Sequence, residues 1–298
     1  MQHPPPLAPG ARVALVAPAG PLRGPEELAR AVDNCRALGW EPVVAPHALS
    51  RDGYFAGPDA ARAADLNAAL RDPAVDAVWC LRGGYGAMRI LPAVDWAALA
   101  ARPRALVGFS DVTALHAAAA RHAGVASYHG PTARAVLTVF SRDSLSVAVG
   151  RRGDPCGEAP AAETLRGGRA RGRLAGGNLA LVAALVGTPY AAPLDGAILV
   201  LEDVGEAVYR VDRMLQQLLL SGALAGVRGI AFGHCTHCPE ESDDGARRLG
   251  DVVREIAHAL AVPCLLGVPV GHVDDQWTVP FGAEAELDAD APALRVVA

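Results

Sequence analysis

Short apolar runs alternate with longer stretches of helical spacing through the first half of the chain. Residues 11–17 form an apolar run of buried-strand length that ends in Pro18-Ala19-Gly20. Over 26–38 the apolar residues Leu28, Ala31, Val32, Cys35 and Leu38 recur at the spacing of one helix face, and Gly39 stops the pattern. A short strand is predicted at 41–45 and a helix at 59–70, before Asp72-Pro73. A buried strand at 74–81 runs into Arg82-Gly83-Gly84-Tyr85-Gly86, and a further helix begins over 88–91. Residues 105–107 read as a buried strand, and 111–122, rich in Ala and Leu, as a helix. Such alternation predicts an α/β fold with a parallel sheet and helices on both faces. Ligands of such sheets sit at the carboxyl ends of the strands, where both 83–86 and Ser110 fall.

Around 141–173 the pattern breaks. Glycines, prolines and seven arginines replace the apolar period, so 146–173 is expected to connect two domains, with or without short strands of its own. The second half opens with Leu174-Ala175-Gly176-Gly177-Asn178-Leu179 and an apolar helix to 186. Strands are predicted at 197–201, 229–233 and 262–270, helices at 209–221 and 246–260, and closing strands at 278–280 and 285–287. The expected organisation is an N-terminal α/β domain over 1–145 and a C-terminal α/β domain over 174–298.

Composition narrows the function classes. The 298 residues are 51% hydrophobic and 20% charged, enough for a large core. A net charge of −5 without a basic run argues against nucleic acid as a partner. No apolar run reaches the length of a membrane span. The N-terminus, Met1-Gln2-His3-Pro4-Pro5-Pro6, lacks the pattern of an export signal, and six cysteines are too few for a disulfide scaffold. A cytoplasmic location with reduced thiols is the expectation.

Four constellations could carry chemistry. Ser110 stands at the junction of strand and helix in Gly108-Phe109-Ser110-Asp111-Val112. A serine on such a turn is lifted out of the sheet, beside the unpaired first N–H groups of the helix, which is the arrangement of a nucleophile elbow with half an oxyanion hole. The same two residues, Ser110 and Asp111, also suit a helix cap. In Arg82-Gly83-Gly84-Tyr85-Gly86 the adjacent glycines offer free N–H groups for close approach to a ligand, or form a tight turn. Glu202 ends the buried strand before Asp203-Val204-Gly205-Glu206; an ionised group there needs a partner, and a histidine needs such an acceptor. Asp203 and Glu206 suit caps of the following helix. His272, in Gly271-His272-Val273-Asp274-Asp275, is placed to be a general base or is a plain loop histidine. His234-Cys235-Thr236-His237-Cys238 lacks the ligand spacing of a zinc site and reads as a polar loop, so no metal and no cofactor is expected. The order Ser110, Glu202, His272 is that of the α/β-hydrolases, but the second glycine of G-x-S-x-G is missing.

These segments together resemble the LD-carboxypeptidases, serine peptidases that include the microcin C immunity peptidases. The resemblance is carried in order by Val16-Ala17-Pro18-Ala19-Gly20, Arg82-Gly83-Gly84-Tyr85-Gly86, Gly108-Phe109-Ser110-Asp111, His129-Gly130-Pro131, Gly176-Gly177-Asn178-Leu179, Leu201-Glu202-Asp203-Val204-Gly205-Glu206, Tyr209-Arg210-Val211-Asp212-Arg213-Met214-Leu215 and Gly267-Val268-Pro269-Val270-Gly271-His272. It implies Ser110 as nucleophile, His272 as base, Glu202 as the residue orienting it, and the N–H groups of Asp111 and Gly84 as oxyanion donors. It also implies a homodimer and a triad split between domains. The implied reaction is release of the terminal D-alanine from murein tetrapeptides at an L-to-D bond. Arg82, Arg89 and Arg134 are candidates for the terminal carboxylate, with Tyr85 as a further substrate contact. The alternative is an immunity-type peptidase acting on aminoacyl or peptidyl nucleotides, for which Trp277 would stack the base unless it serves the core or the rim. A non-catalytic two-domain ligand binder is the reading from another class.

Overall fold

The computed structural model describes residues 1–150, 153–238 and 247–297. The first half runs β1 (Arg12–Val16), α1 (Pro25–Ala37), β2 (Glu41–Val44), α2 (Asp59–Arg71), β3 (Ala77–Cys80), α3 (Ala87–Ile90), α4 (Trp96–Ala101), β4 (Ala105–Gly108), α5 (Thr113–Ala118), β5 (Ser127–His129) and α6 (Val139–Gly150). The second half runs β6 (Gly157–Glu158), β7 (Glu163–Arg166), β8 (Arg169–Asn178), α7 (Leu179–Ala184), β9 (Ala197–Val204), α8 (Val208–Leu220), β10 (Gly229–Thr236), α9 (Leu249–Leu260), β11 (Cys264–Leu266), β12 (Val279–Phe281), β13 (Glu284–Asp288) and β14 (Ala293–Val296).

Two sheets result, as the alternation of strands and helices requires. The first has the order β12-β5-β4-β3-β1-β2, parallel except for β12. Successive strand residues face opposite ways: Ala14, Val78 and Leu106 pack under α2 and α5, while Val13, Leu15, Trp79 and Val107 pack under α1 and α6. The second has the order β6-β14-β13-β8-β9-β10-β11-β7, with β8 to β11 parallel. On β9, Leu199 and Leu201 meet α7, α8 and α9, and Ile198 and Val200 meet the C-terminal strands. All four are fully buried, each contributing roughly 1.5–3 kcal/mol of transfer free energy.

Several expectations need correction. The stretch 146–173 carries the short strands left open for it, and more: α6 crosses its start, and β6, β7 and the first half of β8 belong to the second sheet. Its Arg151 and Arg152 lie outside the described residues. Arg169, Arg171 and Arg173 on β8 stand opposite Asp288, Glu286 and Glu284 on β13, and the first two pairs close at 2.9 and 3.8 Å. The strand expected at 262–270 shrinks to β11, because Gly267 takes a left-handed φ of 87° and the chain turns away. The C-terminal β12 joins the first sheet through β5. The helix after Ser110 is a 3₁₀ turn, Ser110–Val112, then α5, then a wide π turn, Ala119–Ala123, closed by left-handed Gly124. The residues expected as a polar loop at 234–238 instead begin as the end of β10. The helix expected from 246 is described from Leu249; its first predicted residue, Ala246, lies outside the described residues. Among the described residues no helix is long and apolar enough to cross a membrane.

Candidate active site

Ser110 follows β4 after an extended Phe109 and holds φ at 63°, a left-handed value that costs a non-glycine residue about 1–2 kcal/mol. The strained turn stands Ser110 out of the sheet. The loop after β3 comes up against it. A Cβ added to Gly83 would lie 2.9 Å from Ser110 Cβ and 3.2 Å from its Oγ, so only glycine permits the approach. Gly84 takes a φ of 102°, and the Gly20 N–H donates to the Gly83 carbonyl at 2.8 Å, pinning the loop from behind. The Asp111 side chain turns inward: Oδ2 accepts from the Ala87 N–H at 2.7 Å. Burial pushes its carboxyl up to about 6. The Asp111 carboxylate thus ties the glycine loop to the turn that carries Ser110.

The second half of the site comes from the other sheet. Glu202 on β9 is 0% exposed, and its Oε2 accepts from His272 Nδ1–H at 2.8 Å. Gly271 allows this: a Cβ there would stand 3.1 Å from Glu202 Cβ and from the His234 carbonyl. The His272 ring packs 4.8 Å from the Phe109 ring, centre to centre. Ser110, Gly83, Gly84 and His272 line one cavity of about 560 Å³. The bond fixes the histidine tautomer, because an Nδ1–H held by a carboxylate leaves Nε2 as the free base. A serine beside such a histidine, with glycine-loop N–H groups at hand, can attack a carbonyl and shelter the oxyanion.

The cavity wall is cationic. Arg82 and Arg134 line it, as does Arg30, which sequence reasoning missed. Arg134 is committed to buried Glu27 at 2.8 Å. Although burial alone would raise it, the Glu27 carboxyl is held below its ordinary value by the Arg23 N–H and the charges of Arg134 and Arg82. Arg82 donates to the Pro21 carbonyl. Arg89 lies elsewhere, paired with Asp59 at 2.7 Å. Tyr85 is 48% exposed and clusters with Tyr54 and Phe55 away from the cavity lining. Trp277 is 1% exposed and packs in the core of the second sheet, so it offers no stacking face. Asp203 caps no part of α8; it accepts from Asn178 Nδ2 at 3.0 Å and from the Ala180 N–H at the start of α7. Glu206 pairs with Arg210 one turn on. No group of three or more His, Cys, Asp or Glu able to hold a metal occurs among the described residues.

Two histidines are buried behind the site. His116 Nε2–H donates to the Gly108 carbonyl at 2.8 Å, and burial pushes its pKa down to about 4. His129 is fully buried with neither ring nitrogen hydrogen-bonded, and burial, then His116 and His272, hold it well below its usual value. Both stay neutral when folded and protonate when unfolded. Their stabilisation is therefore present above about pH 6.5 and is lost as pH falls below it. At pH 5 one such histidine accounts for about 2 kcal/mol. His129→Leu is expected to reduce the fall in Tm between pH 7 and pH 5, measured by calorimetry; parallel curves for the two proteins would refute this.

Comparison with known proteins bears on this geometry. Residues 13–130 match the model of the LD-carboxypeptidase N-terminal domain, and 171–287 that of the C-terminal domain. The chain is 46% identical to a Streptomyces coelicolor protein over 97% of this chain and 94% of the relative. It is 36% identical to a murein tetrapeptide carboxypeptidase of Pseudomonas aeruginosa, over 94% of each. Among solved structures, a muramoyltetrapeptide carboxypeptidase from Oxalobacter formigenes superposes with a TM-score of 0.84 at 30% identity, covering 95% of this chain and 98% of that one. A microcin C7 self-immunity protein in complex with glutamyl sulfamoyl guanosine shares the fold, with a TM-score of 0.89 at 22% identity over 99% and 98%. With both domain models in order on one chain and relatives alike over nearly its whole length, this protein belongs to the LD-carboxypeptidase family and is a serine carboxypeptidase.

Proposed function

We propose that the protein removes the terminal D-alanine from murein tetrapeptides, with Ser110 as nucleophile, His272 as general base and Glu202 as its orienting acid. The observation that carries this reading is the meeting of Ser110 and the Glu202-bonded His272 in one cavity with a cationic wall. Ser110 Oγ attacks the carbonyl of the L-to-D bond while His272 Nε2 takes its proton. The oxyanion is held by the N–H groups of Asp111 and Gly84. His272 then protonates the leaving amine, and water, deprotonated by the same nitrogen, hydrolyses the acyl-enzyme.

An exopeptidase must also hold a terminal carboxylate. Arg134 is spent on Glu27, whereas the side-chain bond of Arg82 goes to a neutral carbonyl. Arg30 also donates to a neutral carbonyl, that of Arg134, but Arg82 adjoins the Gly83-Gly84 loop that packs against Ser110, and Arg82 is assigned to the substrate carboxylate. The two domains are those of the family, the nucleophile on the N-terminal one and the acid and base on the C-terminal one. The protein works in the cytoplasm on recycled wall peptides, as a homodimer; exposed Val136, Val139 and Phe140 offer an apolar patch for association. Burial of Trp277 removes the support that sequence gave to a nucleotide-peptide substrate.

Mass spectrometry of L-Ala-γ-D-Glu-meso-diaminopimelate-D-Ala incubated with the protein tests the reading. Loss of one alanine is expected, with Arg82→Met raising KM by roughly 10–100-fold, the worth of one charged hydrogen bond. An unchanged peptide with folded wild-type protein would overturn it.

A further inference from the structure

The His272 loop leaves β11 and returns to the first sheet at β12. It is pinned upstream where the His234 N–H donates to the Val270 carbonyl, and downstream where the Trp277 N–H donates to the Pro269 carbonyl. Between these points the chain bends without strand pairing. Here it meets α6 of the other domain. Ser141, 1% exposed, sits in the first turn of that helix. Its Oγ donates to the Asp274 carbonyl at 2.7 Å and accepts from the Gln276 N–H at 2.9 Å and from Thr138 Oγ1–H at 3.2 Å. A hydroxyl has one proton to give and two lone pairs, so every hydrogen-bonding capacity of Ser141 is used and its orientation is fixed.

We propose that Ser141 is a positioning residue for the reaction: it clamps the loop two and four residues beyond His272, setting a base from one domain against a nucleophile from the other. The inference rests on the reading of His272 as the base. Without the clamp, Glu202 still holds Nδ1 and Phe109 still packs on the ring, but the hydrogen bonds from Ser141 to the loop at Asp274 and Gln276 are gone. A base displaced by about 1 Å costs on the order of 10²-fold in rate.

A matched control lies one turn along. Ser144 is also buried, donates to the Pro155 carbonyl at 2.6 Å and accepts from the Thr278 N–H at 2.7 Å. Its grip falls six residues past His272, beside a strand that β5 already holds. Both serines lose comparable hydrogen bonds on truncation, but only one loses contact with the base loop.

The test is steady-state kinetics of wild type, S141A, S144A and H272A on the tetrapeptide, with kcat and KM separated and Tm measured beside them. S141A is expected to lower kcat by about 10²-fold with KM within a few-fold of wild type. S144A is expected to lose similar Tm and keep its turnover. If S141A does not fold, the isosteric pair S141T and S141V asks the same question, with turnover kept only in S141T. Equal kcat values in S141A and S144A would overturn the proposal. Wild-type turnover in H272A would instead overturn the assignment of the base.

Discussion

Ser110→Ala is expected to lower kcat on the tetrapeptide by on the order of 10⁶-fold while KM stays within a few-fold of wild type. The size follows from the role: without Oγ no acyl-enzyme forms, and the remaining cavity can only bind the peptide and polarise its carbonyl. KM is spared because Arg82 and the glycine loop are untouched. The stability of the variants adds a second readout. Ser110 is held at a φ of 63°, and alanine inherits that strain, whereas glycine does not. Ser110→Gly relieves about 1–2 kcal/mol of strain and loses about half of that to the freer unfolded chain. It should therefore be as inactive as Ser110→Ala yet more stable by up to about 1 kcal/mol. Single-turnover release of D-alanine and denaturant unfolding measure the two effects. More than a hundredth of wild-type turnover in either variant would remove Ser110 from its role.

The parts of the fold legible in the sequence are those with local periodicity. The face of α1 repeats every three to four residues, and the buried strands β3 and β4, with residues 13–16 of β1 and 197–201 of β9, are continuous apolar runs between turn signals. The parts that escaped depend on distant partners. Arg169, Arg171 and Arg173 alternate with Ala170, Gly172 and Leu174 at the period of a strand, but the acids that make such a row stable lie more than a hundred residues away on β13. The short apolar run of β12 gives no hint that it pairs with β5 across the domain boundary. Asp203 resembled a cap for the helix ahead of it; its true partners are the amide of Asn178 and the N–H of Ala180, brought beside it by the parallel pairing of β8 and β9.

The site divides in the same way. Ser110 follows β4, Glu202 comes directly after the apolar run of β9, and His272 stands beside a glycine that punctuates its loop, so each is marked by a local pattern. Arg30 and Ser141 reach the cavity from helices whose distant approach is set by packing rather than by the residues next to them in sequence. For Ser141 one signal existed: two serines three residues apart on the apolar face of α6, which a helix buries only when each hydroxyl has a partner. Trp277 lies five residues from His272 in sequence yet packs in the core, one of the roles that sequence left open for it.

Glu202→Gln is expected to lower kcat by about 10³- to 10⁴-fold and leave the fold intact. Glu202 accepts the Nδ1–H of His272, and that bond is what leaves Nε2 unprotonated toward Ser110. An amide of the same shape can turn its NH₂ toward the ring. Nδ1 then becomes the acceptor, the proton moves to Nε2, and the base can no longer take a proton from Ser110. The imidazolium that forms during attack also loses its counter-charge. Stability should move the other way. Glu202 is completely buried and its Oε1 has no hydrogen-bond partner, so the native state carries the desolvation of an ion for a single bond. Removing the charge while keeping the volume is expected to hold or raise Tm. A fall in kcat together with an unchanged or higher Tm is the signature of an acid kept for catalysis at a cost in stability. Turnover within tenfold of wild type would mean that His272 finds its tautomer without Glu202, and a large drop in Tm would make Glu202 a structural anion instead.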